Sequence, residues 1–314
     1  MARARVSMMR AEEEKKGVVL ALISAALWGA FPVVVNRGTR QIPPMEFAAV
    51  SALLAAAVSF IHMIAEGKFH ELKKKEAYPS LLMVAVCVVI IPYSLFFTGS
   101  SKTSGINTSM LLLFEIIFTL MFTPLIGEKT TREKLAGSLG VFMGALLLLY
   151  NGSFRMKSFR LNEGDLLIIA STITYPIGNF YAKKALNLVS PPTVFFVRFS
   201  LGGLFLLLIT VLSGERMGFF HGLAVHWRVI LLTGIVFLSA GKIIWYEALK
   251  RLDISKAISL GTTFPLFSLL LLIGLFREPV SARQWAGIAI MLTGAFFSIK
   301  RQSVDPGLTG YAAK

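Results

Sequence analysis

Two ionisable side chains stand in stretches that otherwise read as oil-soluble. Glu115 lies in LLLFEIIFTLMF, Leu111 to Phe122, and Lys242 lies in SAGKIIWYEAL, Ser239 to Leu249. An ionised group at the centre of a membrane helix costs about 2.5 to 3.5 kcal/mol on insertion scales. Protonating a free glutamate at pH 7 is no easier, at about 3.7 kcal/mol from a reference pKa near 4.3. Each residue is therefore expected to face a wet cavity or an opposite charge rather than acyl chains. Three chemistries remain open: a permanent salt bridge that locks helices together, two separate poles for a substrate bearing both ammonium and carboxylate, or proton coupling at Glu115. Helical spacing supports a polar face for each residue. Ser104, Thr108, Glu115 and Thr119 share one stripe, and Ser239, Lys242 and Tyr246 share another.

The elements that must position them are membrane helices. Hydrophobic residues form 55% of the chain and charged ones 16%, with a mean hydropathy of +0.70, whereas soluble domains carry about a quarter charged residues. Windows long enough to cross the hydrocarbon core number about ten. They centre on Gly17 to Val35, Pro44 to Ala65, Pro79 to Thr98, Ser104 to Leu125, Thr131 to Tyr150, Gly164 to Ala182, Pro192 to Leu212, Trp227 to Leu249, Ile254 to Phe276 and Ser281 to Ile299. Thr130 with Glu133, and Ser281 with Gln284, have capping-box form at two helix starts. The first span is too long for a signal-peptide core and is read as a retained helix.

The formal net charge of +15 is distributed for membrane orientation. With the amino terminus inside, about twenty Lys and Arg fall in cytoplasmic segments and about ten in external ones, as the positive-inside rule expects. Both termini are then cytoplasmic, in a multi-pass protein of the plasma (cytoplasmic) membrane. The Lys73, Lys74, Lys75 run would meet the anionic inner leaflet, and no basic stripe with interleaved aromatics suggests nucleic acid. Cys87 is the lone cysteine, and His62, His70, His221 and His226 have no zinc-ligand spacing, so no metal and no cofactor are expected. The chain has neither GxSxG nor HExxH, which argues against an enzyme.

An internal repeat organises these spans. GEKTTREKLAGSLGVFMGAL from Gly127 aligns without gaps on REPVSARQWAGIAIMLTGAF from Arg277, matching Glu128 with Glu278, Gly137 with Gly287 and Gly144 with Gly294. LWGAFPVVVNR from Leu27 corresponds more weakly to TYPIGNFYAKK from Thr174. A shift of about 150 residues thus relates two halves of about five spans each, and a copy fused after an odd number of crossings enters from the opposite side. The expected fold is an all-α integral membrane protein, with ten transmembrane helices as two inverted five-helix repeats around a central cavity. Residues 1–16 form a cytoplasmic tail, 17–150 the first repeat, 151–163 a linker, 164–300 the second repeat and 301–314 a cytoplasmic tail. Under the shift Lys242 aligns with Pro92, and Glu115 with Pro265. Each charge replaces a proline, and these prolines are the expected kinks or gates of helices around one midplane space.

These features resemble the EamA family of the drug/metabolite transporter superfamily. The likeness rests on the tandem halves, Trp28 and Gly29 in the first span, GNFYAKKAL from Gly178, and the repeated Glu followed by AG and GA. It runs from about Gly17 to Ile299. The resemblance implies a ten-helix basket whose cavity is lined by the third, fourth, eighth and ninth helices with the first and sixth, and an activity moving amino acids and other small metabolites, often outward. Glu115 departs from the family pattern, because its repeat counterpart Pro265 keeps the proline in TFPLF.

The expected function is a secondary transporter that exports small metabolites, with amino acids foremost, by alternating access. A nucleotide-sugar or cationic-drug carrier is the alternative within transport, and a membrane scaffold the alternative outside it. The substrate-binding residues would be Glu115 and Lys242, with Trp28, Tyr93, Phe96, Thr108, Tyr175, Asn179 and Tyr246 supplying ring faces and hydrogen bonds. Arg198, about two turns into the seventh span, is expected to snorkel toward the cytoplasm, with a functional role as the lesser alternative. The partners implied are a small-molecule substrate and the lipid bilayer, with no nucleic acid; a homodimer does not follow from the glycine spacing.

Overall fold

The computed structural model describes residues 2–122, 124, 132–149, 161–212, 219–249, 251–252, 260–261 and 263–299. Among these residues the regular structure is entirely helical. The chain begins with α1 (Ala2–Gly38), α2 (Pro44–Ala65), α3 (Lys75–Ser101), α4 (Gly105–Phe122) and α5 (Arg132–Leu149). It continues with α6 (Glu163–Ser171), α7 (Tyr175–Leu186), α8 (Pro191–Leu212), α9 (Val225–Ala248), α10 (Phe264–Leu275) and α11 (Ala282–Ile299). Six stretches are long and apolar enough to cross a bilayer: Glu12–Gly38, Pro44–Ala65, Lys75–Ser101, Gly105–Phe122, Pro191–Leu212 and Val225–Ala248. Shorter apolar helices, Leu135–Leu147 and Phe264–Leu275, accompany them. Outward faces such as Leu204, Phe205 and Leu208 on α8 are exposed and apolar, which lipid tolerates and water does not. Glu128, Thr130 and the side chain of Glu133 lie outside the described residues. Ser281 and Gln284 form the reciprocal box expected of them: the Ser281 N–H donates to Gln284 Oε1 at 2.9 Å, and the Gln284 N–H to Ser281 Oγ at 3.3 Å.

The sixth span differs from its sequence reading. A single helix over 164–182 is expected, but α6 stops at Ser171 and α7 starts at Tyr175. Pro176, in the first turn of α7, lacks the N–H that would bond back across the break, and beside it the Thr174 hydroxyl donates to the Cys87 carbonyl of α3 at 2.9 Å. That bond ties the break to α3 and satisfies the Cys87 carbonyl within its widened turns. In α3 the widened, π-helical turns over Ala85–Ile90 lie just before Pro92, and in α9 those over Leu232–Ala240 lie just before Lys242. Pro265 falls in the first turn of α10, where a missing N–H costs little.

Helix α5 crosses α11 at van der Waals distance through glycine. A Cβ on Gly144 would lie 2.6 Å from the Gly287 carbonyl oxygen, and one on Gly294 would lie 2.5 Å from that of Gly137. The two contacts are reciprocal, since Gly137 aligns with Gly287 and Gly144 with Gly294. Elsewhere α2 packs along α8, α3 along α6, and α1 along α9 and α10.

One end of the bundle is stitched shut by buried polar groups. Asn36 Nδ2 on α1 lies 2.6 Å from the Ser100 carbonyl, 3.1 Å from that of Thr103 and 3.1 Å from Thr108 Oγ1. Fully buried Asp165 on α6 accepts from Thr103 Oγ1 at 2.5 Å and from Asn107 Nδ2 at 2.9 Å. Glu278 accepts from Arg37 Nη2 and from the Ile106 N–H at the start of α4, both at 3.3 Å. The far half of α4, Phe114–Phe122, contains no fully buried residue, whereas Gly105, Ile106 and Thr108 to Leu111 are all buried. Packing is dense at the stitched end and loosens toward the other.

Candidate functional site

Glu115 sits in the first turn of Phe114–Phe122, just past a tight 3₁₀ turn over Leu111–Leu113. Three residues per turn instead of 3.6 rotates the rest of α4 by about 60° relative to a continuous α-helix. The stripe drawn from Thr108 to Glu115 is therefore split. Thr108 is buried in the stitched end, donating to the Ser104 carbonyl at 2.9 Å and contacting Asn36. Glu115 instead faces α7, where Asn179 Nδ2 donates to its Oε1 at 3.3 Å.

Lys242 projects from α9 onto α1. Its Nζ lies 4.1 Å from the centroid of the Trp28 ring, and that ring stacks on Phe31 at 5.1 Å with an interplanar angle of 6°. The indole face substitutes for part of the ammonium's lost hydration. No ion pair within 4.0 Å joins Lys242 to Glu115, although each lies within Coulombic reach of the other. Two opposite charges from facing helices are held apart, not clasped.

Arg198 on α8 is the residue that sequence reasoning misplaced. It does not snorkel: its guanidinium carbon lies 4.3 Å from the Phe195 ring centroid and 4.6 Å from that of Phe199, and Nε is buried without a hydrogen-bond partner. Tyr93, Tyr175, Tyr246 and Lys242 all lie within its Coulombic reach. Phe195 in turn contacts Tyr246 with ring centroids 5.5 Å apart, and Phe199 contacts Tyr93 at 6.4 Å. One signal in the sequence could have found it. Seven residues from Pro191 to Arg198 is roughly 10 Å of helix, deeper than a side chain comfortably climbs back.

Glu115, Tyr175, Arg198, Lys242 and Tyr246 keep part of their surface open, and Asn179 is exposed. The first five also lie deep among protein atoms. These side chains are half-buried and neighbour one another. Tyr93 is 5% exposed and Phe96 1%, so both sit in the packed core behind these side chains; Phe96 stacks on Phe31, which stacks on Trp28. Of the residues expected to bind substrate, the structure gathers Glu115, Asn179, Tyr175, Lys242, Trp28 and Tyr246, keeps Tyr93 and Phe96 just behind them, and sends Thr108 elsewhere. Pro92 and Pro265 are both buried. No group of three His, Cys, Asp or Glu suited to a metal ion occurs among the described residues.

The sequence profile of the EamA-like transporter family matches twice, over residues 15–150 and 162–300. The chain belongs to the EamA-like transporter family. Relatives span nearly its full length. An uncharacterized transporter of Bacillus subtilis (strain 168), YvbV, is 23% identical over 292 residues, covering 91% of this chain and 92% of that protein. A probable amino-acid metabolite efflux pump of Escherichia coli (strain K12) is 22% identical over 295 residues, covering 91% and 95%. A solved protein structure superposes with a TM-score of 0.61 at 16% identity, covering 90% of this chain and 96% of that one, which is a likeness of fold. This EamA-like chain is a membrane transporter, and its small-molecule substrate and lipid surroundings follow from the family.

Proposed function

We propose that this protein exports amino acids and related small metabolites by alternating access of two inverted repeats of five helices each. The observation that supports the reading is that Glu115 and Lys242 lie within Coulombic reach of each other without an ion pair, with Trp28 against the ammonium and Tyr175 near the carboxylate. An α-amino acid presents an ammonium and a carboxylate, and two opposed, unclasped charges complement it. The efflux-pump name of the Escherichia coli relative supports the same class.

The repeat relation is supported by the reciprocal glycine contacts of α5 and α11, because a two-fold axis requires that if one residue meets the second copy of another, the reverse contact also occurs. An odd number of crossings per repeat would lay that axis in the membrane plane. With the lysine-rich segments cytoplasmic, the stitched end faces outward and the looser half of α4 faces inward, an inward-open arrangement. Export then requires the buried Asn36, Thr103 and Asp165 contacts to part as the cytoplasmic half closes.

Purified protein in proteoliposomes tests this reading directly. Labelled amino acids loaded inside should exchange against external unlabelled ones, and Glu115→Gln should slow exchange at least tenfold while leaving a monodisperse, folded protein. Full activity of that variant would remove Glu115 from the site.

A further inference from the structure

The site contains one more cation than a zwitterion requires. Arg198 lies within Coulombic reach of Tyr175, Tyr246 and Lys242, and Lys242 in turn within reach of Glu115, the one carboxylate in this set. Arg198, Lys242 and Glu115 together carry one net positive charge with Glu115 ionised, and two with it protonated. In either state a low-dielectric space of this sign attracts anions and repels cations.

Arg198 also has the form of a receptor left empty-handed. A guanidinium offers five N–H donors in a planar fork that matches a carboxylate. Here Phe195 and Phe199 flank it at 4.3 and 4.6 Å, leaving no hydrogen bond from it to any described residue, and its Nε is fully buried. A buried donor normally finds a partner in the fold, so an orphan of this strength on a half-exposed side chain points to a ligand. Lys242 likewise rests on Trp28 without a hydrogen bond to a described residue, and Glu115 accepts only one, from Asn179.

We infer that the preferred substrates are acidic amino acids, with two carboxylates and one ammonium: Arg198 holds one carboxylate in its fork, Lys242 neutralises the other, and Glu115 with Asn179 receives the ammonium. This assignment rests on the amino-acid reading above and narrows it. A neutral amino acid leaves one cation unanswered. A basic amino acid or a quaternary ammonium adds a second positive charge and is disfavoured.

Counterflow in proteoliposomes with labelled L-glutamate and L-glutamine, which match in size and differ in charge, reads this out. Glutamate should exchange at least tenfold faster than glutamine in the wild type. Arg198→Gln should abolish that ratio, the glutamate rate falling to the glutamine rate of the same variant. Arg198→Lys, which keeps the charge and loses the fork, should keep the preference with a raised KM, and serves if the glutamine variant does not fold. Glutamine or lysine exchanging as fast as glutamate in the wild type would overturn the assignment, as would an unaltered ratio in Arg198→Gln. If no amino acid is carried, the amino-acid reading fails separately. The melting temperature in succinate, a dicarboxylate without ammonium, then decides: stabilisation lost in Arg198→Gln supports an anion site, and no stabilisation of the wild type ends it.

Discussion

Replacing Lys242 by methionine separates a structural lock from a substrate pole. Breaking a buried salt bridge by removing one partner costs about 3 to 5 kcal/mol, because the other charge is stranded. No nitrogen–oxygen contact within 4.0 Å joins Lys242 to Glu115, so the Coulombic attraction lost is below the roughly 4 kcal/mol that two charges share at 4 Å with an effective dielectric near 20. The contact over Trp28, at 4.1 Å, contributes about 0.5 to 2 kcal/mol. Against these losses, methionine relieves the desolvation of the ammonium and makes its own sulfur contact with the indole, worth about 0.3 to 1.5 kcal/mol. The net change should fall within about 2 kcal/mol, a shift of several degrees for a chain of this size. Thermal unfolding in detergent should thus show Lys242→Met and Glu115→Gln each melting near the wild type, with a coupling in the double-mutant cycle below about 2 kcal/mol. Transport should nonetheless fall at least tenfold in each. Two single variants destabilised by 3 kcal/mol or more, with stability and transport restored in the double variant, would refute substrate poles and establish a lock.

Two further outcomes concern other parts of the fold. Glu71, between α2 and α3, accepts from the Ser190 N–H, the Ser190 hydroxyl and the Thr193 hydroxyl, each at 2.7 Å; burial opposes its charge, but these donors outweigh that and hold its carboxyl below the usual range. Its stabilisation is therefore complete above about pH 4.3 and disappears as pH falls through the lower folded pKa. Glu71→Gln should cost on the order of 2 kcal/mol at pH 7, and melting curves should show the gap from wild type closing in acid; a gap independent of pH would contradict the account. Gly144→Ala places a Cβ 2.6 Å from the Gly287 carbonyl and should destabilise by about 1 to 3 kcal/mol. Gly274→Ala, with nothing within 4 Å, should not, and equal melting of the two would show that α5 and α11 do not cross at these glycines.

Hydropathy located helices wherever a uniform apolar run ends in turn chemistry. Pro44–Ala65 was legible to the residue, bounded by the Pro43–Pro44 pair before it and by Glu66 and Gly67 after it. The interruption between α6 and α7 was not, since a window of about 20 residues averages across Thr172 to Thr174, and only Pro176 signals the break. The unusual charges were legible because an ion in an apolar run costs several kcal/mol wherever it points, so its presence alone demands a partner. The identity of that partner is a separate matter. A periodic stripe assumes an unbroken 3.6-residue helix, and the 3₁₀ turn at Leu111–Leu113 invalidated that assumption between Thr108 and Glu115.

Arg198 shows why charge count and charge placement have to be read together. Its depth along α8 argues against climbing to the membrane surface, and its guanidinium lies over Phe195 and Phe199 of its own helix, within Coulombic reach of Tyr93, Tyr175 and Tyr246. It changes the charge balance of this cluster: Glu115 and Lys242 alone balance and suit a zwitterion, whereas Arg198 adds a positive charge that an anion would answer. Since a transporter must release what it binds, that excess cannot be met by a permanent internal partner without closing the site to substrate. An unanswered guanidinium among aromatic rings is costly to the resting fold, and under the acidic-substrate assignment a substrate carboxylate is the group whose arrival would relieve it.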